Sequence, residues 1–233
     1  MNDYSYIFQE NQLGTDYENM EEVQNYDLKM NKIRNIQKEV SEINQFLQLK
    51  PEHTVLEIGC GTADAAIALS HICKKVVATD ISEVMLAYAK EKAAKQKRDN
   101  IDFVKAGFLT YQPEDIRFDG IVTQLALHHL PDFWKFYALS RIAQWLKPQG
   151  KLFLRDVVFP SHISDYDKYF EEIIRKLENT AGENASRSLA LHIQKEYSTL
   201  DFVMESILEK SGFVIESQTV ENTFFISYHC TLK

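Results

Sequence analysis

Two glycines and a downstream carboxylate are the residues of this sequence best suited to bind a ligand. Gly59 and Gly61 directly follow an apolar segment at 54–58, and Asp80 ends the next apolar segment. Glycines let the backbone turn tightly and approach a ligand, and a helix beginning after them offers free N–H groups. A carboxylate at the end of the next strand can accept hydrogen bonds from ribose hydroxyls. This pattern predicts a site for a nucleoside-containing ligand.

Asp64 separates two classes of such ligands. A dinucleotide-binding sequence has a third glycine at this position, close to the pyrophosphate, whereas this chain carries an aspartate. A carboxylate facing a pyrophosphate would be repelled, so a ligand with an ammonium group and no phosphate suits the turn better. A nucleotide-dependent oxidoreductase is kept as an alternative.

Three further candidates lie where later strands end. His128 and His129 follow the predicted fourth strand, and histidine can act as a base near neutral pH. We take His129 as the candidate catalytic base and His128 as a candidate substrate contact, with packing as the alternative for both. Arg155 and Asp156 lie late in the fifth strand, near the edge at which ligands bind in such sheets. Substrate contact and a structural ion pair are both open for these two residues.

Alternating strands and helices must position these residues. Strands are predicted at 54–58, 76–79, 101–104, 120–123, 151–159, 213–220 and 224–232. Alternation of apolar strands with helices favours a parallel sheet covered on both faces. Only three residues join the last two strands, so these two must be antiparallel. We therefore predict an α/β fold, a Rossmann-like doubly wound sheet that is mostly parallel with an antiparallel C-terminal strand.

The chain is long enough for one core, since it has 233 residues and 45% hydrophobic composition. We expect a single domain with four parts: an N-terminal lid and helix at 1–50, a cofactor-binding core at 51–159, an inserted helical cover at 160–200, and a C-terminal helix and strand pair at 201–233. Within it, Thr62 and Ser82 are expected to cap helices, Ser198 is expected to begin a capped helix, and the polar stretch 179–188 is expected to be a loop.

Composition excludes several partners. The formal net charge is −8, which argues against nucleic-acid binding. The three cysteines form no CxxC pair, so we predict neither a metal site nor a disulfide framework. The sequence contains no run of about 18 apolar residues, so no membrane span is predicted. The polar N-terminus does not resemble a signal sequence. We expect a cytoplasmic protein without a membrane partner, and we assign no oligomeric state.

Several segments together resemble the class I S-adenosylmethionine-dependent methyltransferases. Residues 55–62 resemble motif I of that family, a strand ending in E-x-G-x-G, and residues 80–82 are similar to its second motif. Residues 120–130 resemble the fourth-strand region of its small-molecule branch, and residues 147–152 are similar to the loop before its fifth strand. The resemblance covers about 54 to 159 and resumes at the C-terminal strand pair. It implies S-adenosylmethionine as cofactor and methyl transfer to an acceptor, which we expect to be a small molecule.

The resemblance also implies cofactor-binding roles for eight positions. Glu57, Gly59 and Gly61 would border the methionine part, Asp80 would hold the ribose, Ile81 and Phe108 would lie near the adenine, and Gln124 and Leu125 would lie beneath the sulfonium. Many relatives carry an acidic residue after the third strand that receives the adenine amino group, whereas this chain has Gly107. A backbone carbonyl or a water is expected to replace that contact.

Methyl transfer requires mainly that the acceptor be oriented and shielded, with a base only if the acceptor must lose a proton. We therefore expect segments 1–27 and 160–200 to meet over the cleft and enclose the acceptor, with Tyr17 and His192 as candidate substrate contacts. The alternative function is a protein that binds the cofactor without transferring the methyl group, as a sensor or partner subunit. Gly107 is the feature that favours it.

Overall fold

The computed structural model describes residues 6–11, Val23, Asp27, Met30, 34–221 and 223–233. Within these ranges the helices are α1 (Ile36–Leu47), α2 (Asp64–Leu69), α3 (Glu83–Lys95), α4 (Asp132–Trp145), α5 (Tyr166–Ala181), α6 (Glu183–Lys195) and α7 (Asp201–Lys210). The strands are β1 (Thr54–Ile58), β2 (Lys75–Asp80), β3 (Ile101–Lys105), β4 (Phe118–Gln124), β5 (Leu146–Phe159), β6 (Thr199–Leu200), β7 (Phe213–Glu221) and β8 (Phe225–Leu232). A 3₁₀ turn at Leu127–His129 follows β4.

The strands form one sheet in the order β3-β2-β1-β4-β5-β8-β7, and β6 pairs with β5 outside this path. Strands β1 to β5 are parallel, whereas β8 runs antiparallel to both β5 and β7. This confirms the predicted fold class. The strand order reverses between β1 and β4, and in open parallel sheets a ligand crevice forms at such a switch point.

Alternate residues of the central strands face two apolar layers. Leu56 and Ile58 of β1 belong to one buried cluster, whereas Val55 belongs to another on the opposite face. Because successive side chains of a strand point to opposite faces, both faces of β1 are covered, as the apolar strand sequences predict. No helix in the described part of the chain has the length and apolar character that crossing a membrane would require.

The predicted loop at 179–188 is wrong. Helices α5 and α6 occupy this region and are separated only by Gly182, whose φ is 91°. Their apolar side chains Ile173 and Leu189 pack with Phe159 of β5 in a third buried cluster. Packing of the apolar face of these helices against the sheet therefore stabilises helical structure in a segment whose composition is mostly polar.

Two of the three predicted helix caps are also wrong. Ser82 caps α3, since its Oγ accepts from the Met85 N–H at 3.0 Å. The Thr62 hydroxyl instead donates to the Asp27 carboxylate at 2.6 Å, and α2 begins after Ala63 without a side-chain cap. The residues after Ser198 form β6 beside β5, and α7 begins after that strand without a side-chain cap.

A buried ion-pair network ties the start of α1 to the sheet. The Glu39 carboxylate lies 2.5 Å from the Arg34 guanidinium and 3.4 Å from that of Arg155 on β5. Arg155 also bonds the Glu221 carboxylate at the end of β7. Glu39 and Arg155 are both buried, so each charge depends on its partners for stabilisation.

We expect Glu39→Ala to lower the free energy of unfolding by about 3 kcal/mol, because it removes the carboxylate that two guanidiniums share in a buried ion-pair network. The matched control is Glu91→Ala, which removes an exposed pair with Lys95 and should change stability little. Chemical denaturation measures both values. Equal, small changes in the two variants would contradict a stabilising role for the network.

Candidate functional site

A cavity of about 1070 Å³ lies at the carboxyl ends of β1, β2 and β4. Residues that follow these strands form one side, and residues of α5 and α6 form another. Glu10, Asn11 and Met30 from the N-terminal segment also border it. Its volume matches that of cavities which enclose a drug-sized ligand.

The turn after β1 shapes one wall of this cavity. Gly59 and Gly61 have φ values of 74° and 53°, a conformation that favours glycine. A Cβ on Gly59 would lie 2.4 Å from the Cβ of Ala126. The N–H groups of Gly59 and Cys60 both donate to the Thr79 carbonyl, at 2.8 and 2.9 Å. The turn is therefore fixed by β2 on one side and by the residues after β4 on the other.

Asp80 holds this turn and the start of α3 together. One carboxylate oxygen accepts from the Gly61 N–H at 2.8 Å, and the other accepts from the Ser82 N–H at 2.9 Å. The side chain is buried and borders the cavity. The predicted carboxylate thus lies beside the predicted glycine turn.

Two buried polar side chains at the cavity have atoms without hydrogen-bond partners among the described residues. These atoms are Oε2 of Glu57 and both amide atoms of Gln124. Buried polar groups are nearly always hydrogen-bonded, so such atoms indicate a missing ligand or water. Burial raises the pKa of the Glu57 carboxyl to about 8, although the Arg34 charge opposes the rise.

The other predicted cofactor positions border the same cavity. Ile81 and Phe108 follow β2 and β3, and Leu125 follows β4. Leu125 has a φ of 52°, which is uncommon for a residue with a side chain, and its N–H donates to the Arg155 carbonyl at 2.8 Å. All eight positions suggested by the family resemblance therefore line one cavity.

Glu10 is a cavity residue that the sequence analysis missed. Its carboxylate accepts from the N–H groups of Phe108 at 2.6 Å and Leu109 at 2.9 Å. A Cβ on Gly107 would lie 2.3 Å from the Glu10 Oε1, so the glycine makes room for this carboxylate. Burial raises the pKa of Glu10, while the backbone hydrogen bonds oppose the rise. Gly107, which stands where many relatives carry an acidic residue, was the feature of the sequence that could have indicated this contact.

Histidines and carboxylates form a cluster on another part of the cavity wall. His128 Nδ1 bonds the Asp156 carboxylate, and its Nε2 lies 3.0 Å from Glu196 Oε2. His192 Nδ1 lies 2.6 Å from the same Glu196 oxygen, and His129 Nδ1 lies 4.0 Å from it. The predicted candidates His128, His129 and His192 therefore lie together with Asp156, whose structural ion pair with His128 was one of its two predicted roles, whereas Glu196 was not predicted.

The cluster leaves one of its two adjacent histidines charged and the other neutral. Burial alone would lower the pKa of His128, but Asp156 and Glu196 outweigh burial and raise it to about 9. Burial and the neighbouring His128 charge lower the pKa of His129 to about 4. At neutral pH His128 is charged and His129 is neutral, so His129 is a weaker base than an ordinary histidine.

One predicted substrate contact lies away from the cavity, and another lies outside the described residues. Arg155 does not line the cavity, and its guanidinium instead pairs with Glu39 and Glu221. Of the two roles left open by the sequence, the structure assigns the structural ion pair. Tyr17 lies outside the described residues.

We expect the contribution of Glu57 to the free energy of unfolding to fall as pH rises from 4.5 to about 8. In this range the unfolded chain releases the Glu57 proton while the folded protein retains it, so the unfolded state gains stability. Glu57→Gln should remove this part of the decline, whereas exposed Glu91→Gln should follow the wild type. Chemical denaturation at several pH values measures the difference. Parallel curves for all three proteins would mean that Glu57 has an ordinary pKa.

Comparison with known proteins agrees with this geometry. A family model described as a methyltransferase domain matches residues 55–150. An uncharacterized methyltransferase of Bacillus cereus is 33% identical over 160 residues, which cover 68% of each chain.

Two solved structures share the fold. A SAM-dependent methyltransferase from Aquifex aeolicus has a TM-score of 0.65 at 18% identity, and the match covers 92% of this chain and 99% of that chain. Magnesium protoporphyrin IX methyltransferase from Synechocystis PCC 6803 with bound SAM has a TM-score of 0.60 at 17% identity. This match covers 84% of this chain and 79% of that chain. Its sequence relatives, its fold and the motifs that line the cavity together show that the chain belongs to the class I S-adenosylmethionine-dependent methyltransferase family.

Proposed function

We propose that this protein transfers a methyl group from S-adenosylmethionine to a small-molecule acceptor bound in the same cavity. The observation that carries the proposal is the set of buried, unpartnered polar atoms on Glu57 and Gln124, which lie beside the glycine turn. A cofactor with an ammonium group, a carboxylate and a ribose has the complementary groups.

The residues at the cavity fit this cofactor. The Glu57 carboxyl can accept a hydrogen bond from an ammonium group, whose positive charge would favour the ionised form of this carboxyl. The Gln124 amide can both donate and accept. Asp80 is proposed to hold the ribose hydroxyls in addition to the backbone groups that it already binds. Ile81 and Phe108 offer apolar surface for the adenine. When bound, S-adenosylmethionine supplies an electrophilic methyl group on its sulfonium.

The N-terminal segment and the inserted helices are proposed to enclose the acceptor. Phe8 lies against Trp134 and Tyr197, with ring centroids 6.3 Å apart in both pairs, so a described part of the N-terminal segment contacts the 160–200 insert. Glu10 binds the backbone after β3. Together these contacts support a cover that excludes water from the reacting groups.

The position of the inserted helices at the cavity also favours a small acceptor over a macromolecular one. Helices α5 and α6 border the cavity on the side of the histidine cluster, where a long polymer would have to displace them. The net charge of −8 disfavours nucleic acid. We place the acceptor between Leu125 and the imidazoles of His129 and His192, which all border the cavity.

We expect isothermal calorimetry to detect binding of both S-adenosylmethionine and its demethylated product. Asp80→Ala should weaken both by about 1.5–3 kcal/mol, or roughly 10- to 150-fold, the range for hydrogen bonds to a charged group. Asp80→Asn, which keeps an acceptor for the Gly61 N–H, should weaken binding less while preserving the turn.

The matched control is Asp102→Ala, which removes a carboxylate of β3 that pairs with Lys75 outside the cavity. Its affinity should equal that of the wild type. An unchanged affinity in folded Asp80→Ala would limit Asp80 to holding the backbone. No heat from the wild type with either ligand would contradict the proposed function.

A further inference from the structure

Three imidazoles converge on one carboxylate oxygen at the edge of the cavity. Glu196 Oε2 lies 3.0 Å from His128 Nε2, 2.6 Å from His192 Nδ1 and 4.0 Å from His129 Nδ1. All four residues border the cavity. The Nδ1 atom of His129 is buried and has no hydrogen-bond partner among the described residues.

We propose that His128, His129 and Glu196 bind a divalent transition-metal ion, with zinc as the ion that best suits two imidazoles and one carboxylate. The site faces the cavity and takes an oxygen or sulfur group of the acceptor in its remaining position. Binding of the ion releases the His128 Nε2 proton to solvent, because a ligating imidazole is neutral, and it requires no cofactor. Its use in holding the acceptor rests on the proposed methyl transfer.

Two of the three separations between the ligand atoms are close to those of a site for such an ion. One ligand atom from each residue can be chosen so that all three lie within 4.8 Å of one another. Zinc binds nitrogen and oxygen ligands at about 2.0–2.2 Å, so the ligands of a tetrahedral site lie about 3.3 Å apart. The distances of 3.0 and 4.0 Å from Glu196 to the two histidines lie on either side of this value.

The outer partners of the ligands are those that metal sites usually have. A metal-binding histidine commonly donates its other ring N–H to a carboxylate, which orients the imidazole. Asp156 occupies that place beside His128 Nδ1 and also accepts from the His128 backbone N–H at 2.9 Å. His192 holds Glu196 and is itself bonded through Nε2 to the Ser198 hydroxyl at 2.6 Å.

An ordinary ion pair leaves part of this arrangement unexplained. A pair between His128 and Glu196 accounts for two of the three residues but gives no role to His129. A buried nitrogen without a partner is costly, and His129 Nδ1 becomes satisfied when it ligates an ion. Three protein ligands with one open position are also the usual arrangement of catalytic zinc.

The open position has a consequence for the class of acceptor. A hydroxyl or thiol bound to a divalent cation loses its proton more readily, because the cation stabilises the anion that forms. That proton leaves to solvent, and the oxygen or sulfur stays on the ion as an anionic donor. The site therefore selects acceptors with a hydroxyl, thiol or carboxylate group, and an enzyme with such a site needs no side-chain base.

Calorimetric titration of chelator-treated full-length protein with zinc chloride, without cofactor, tests the site. The wild type should bind one zinc ion per chain. His129→Asn and Glu196→Gln should each weaken binding by at least about 10-fold, because each removes a ligand. His71→Ala, which removes an exposed histidine away from the cavity, should bind as the wild type does.

His129→Asn is the decisive variant, because the described residues provide no hydrogen bond for its Nδ1 atom to lose. Unchanged thermal unfolding of metal-free His129→Asn, together with weakened zinc binding, supports the site even if Glu196→Gln fails to fold. Cobalt(II) bound to the wild type should show the visible absorption of a low-coordinate site, and this spectrum should be lost in His129→Asn. Absence of zinc binding by the wild type, or equal binding by wild type and His129→Asn, would overturn the proposal. Neither outcome would bear on cofactor binding, which is measured separately.

Discussion

The cavity depends on one constraint, the tight turn between β1 and α2. Asp80 holds it through the Gly61 N–H, and Gly59 lies so close to Ala126 that no side chain fits between them. Because this turn lies at the switch point of the sheet, it sets the space between the ends of β1 and β4. The Glu57 carboxyl is held at the same strand end. A side chain at Gly59 would close the cleft where the cofactor is proposed to bind.

The buried polar side chains discussed above are of two kinds: some are paired with other side chains, and others border the cavity with an unpartnered atom. Arg155 and Glu39 are buried, and each has an ionic partner, so their pairing supports the fold. Glu57, Gln124 and His129 are also largely buried, but each has at least one polar atom without a partner. Buried polar atoms are expensive to leave unbonded, so these are the positions where a ligand would add most stability. All three side chains border the cavity.

The sequence predicted the glycine turn, the Asp80 carboxylate and a mostly parallel sheet with an antiparallel C-terminal strand, because each follows from local residue types and the spacing of apolar segments. It did not predict Glu10, which reaches the site from the N-terminal segment and fits against Gly107. Nor did it predict Glu196, which comes close to His128 only because α5 and α6 fold back over β5. The helical state of 179–188 was missed for the same reason, since packing of Leu189 outweighs the polar composition of the segment.

The central claim is that the cavity holds both a methyl donor and a small acceptor. Incubation of the protein with S-adenosylmethionine labelled in its methyl group and a cell extract, followed by separation of small molecules from macromolecules, tests it most directly. The account predicts that label enters the small-molecule fraction as a compound distinct from the cofactor, at a rate proportional to wild-type protein and reduced with Asp80→Ala. Label confined to protein or nucleic acid, or no transfer above a control without the protein, would contradict it.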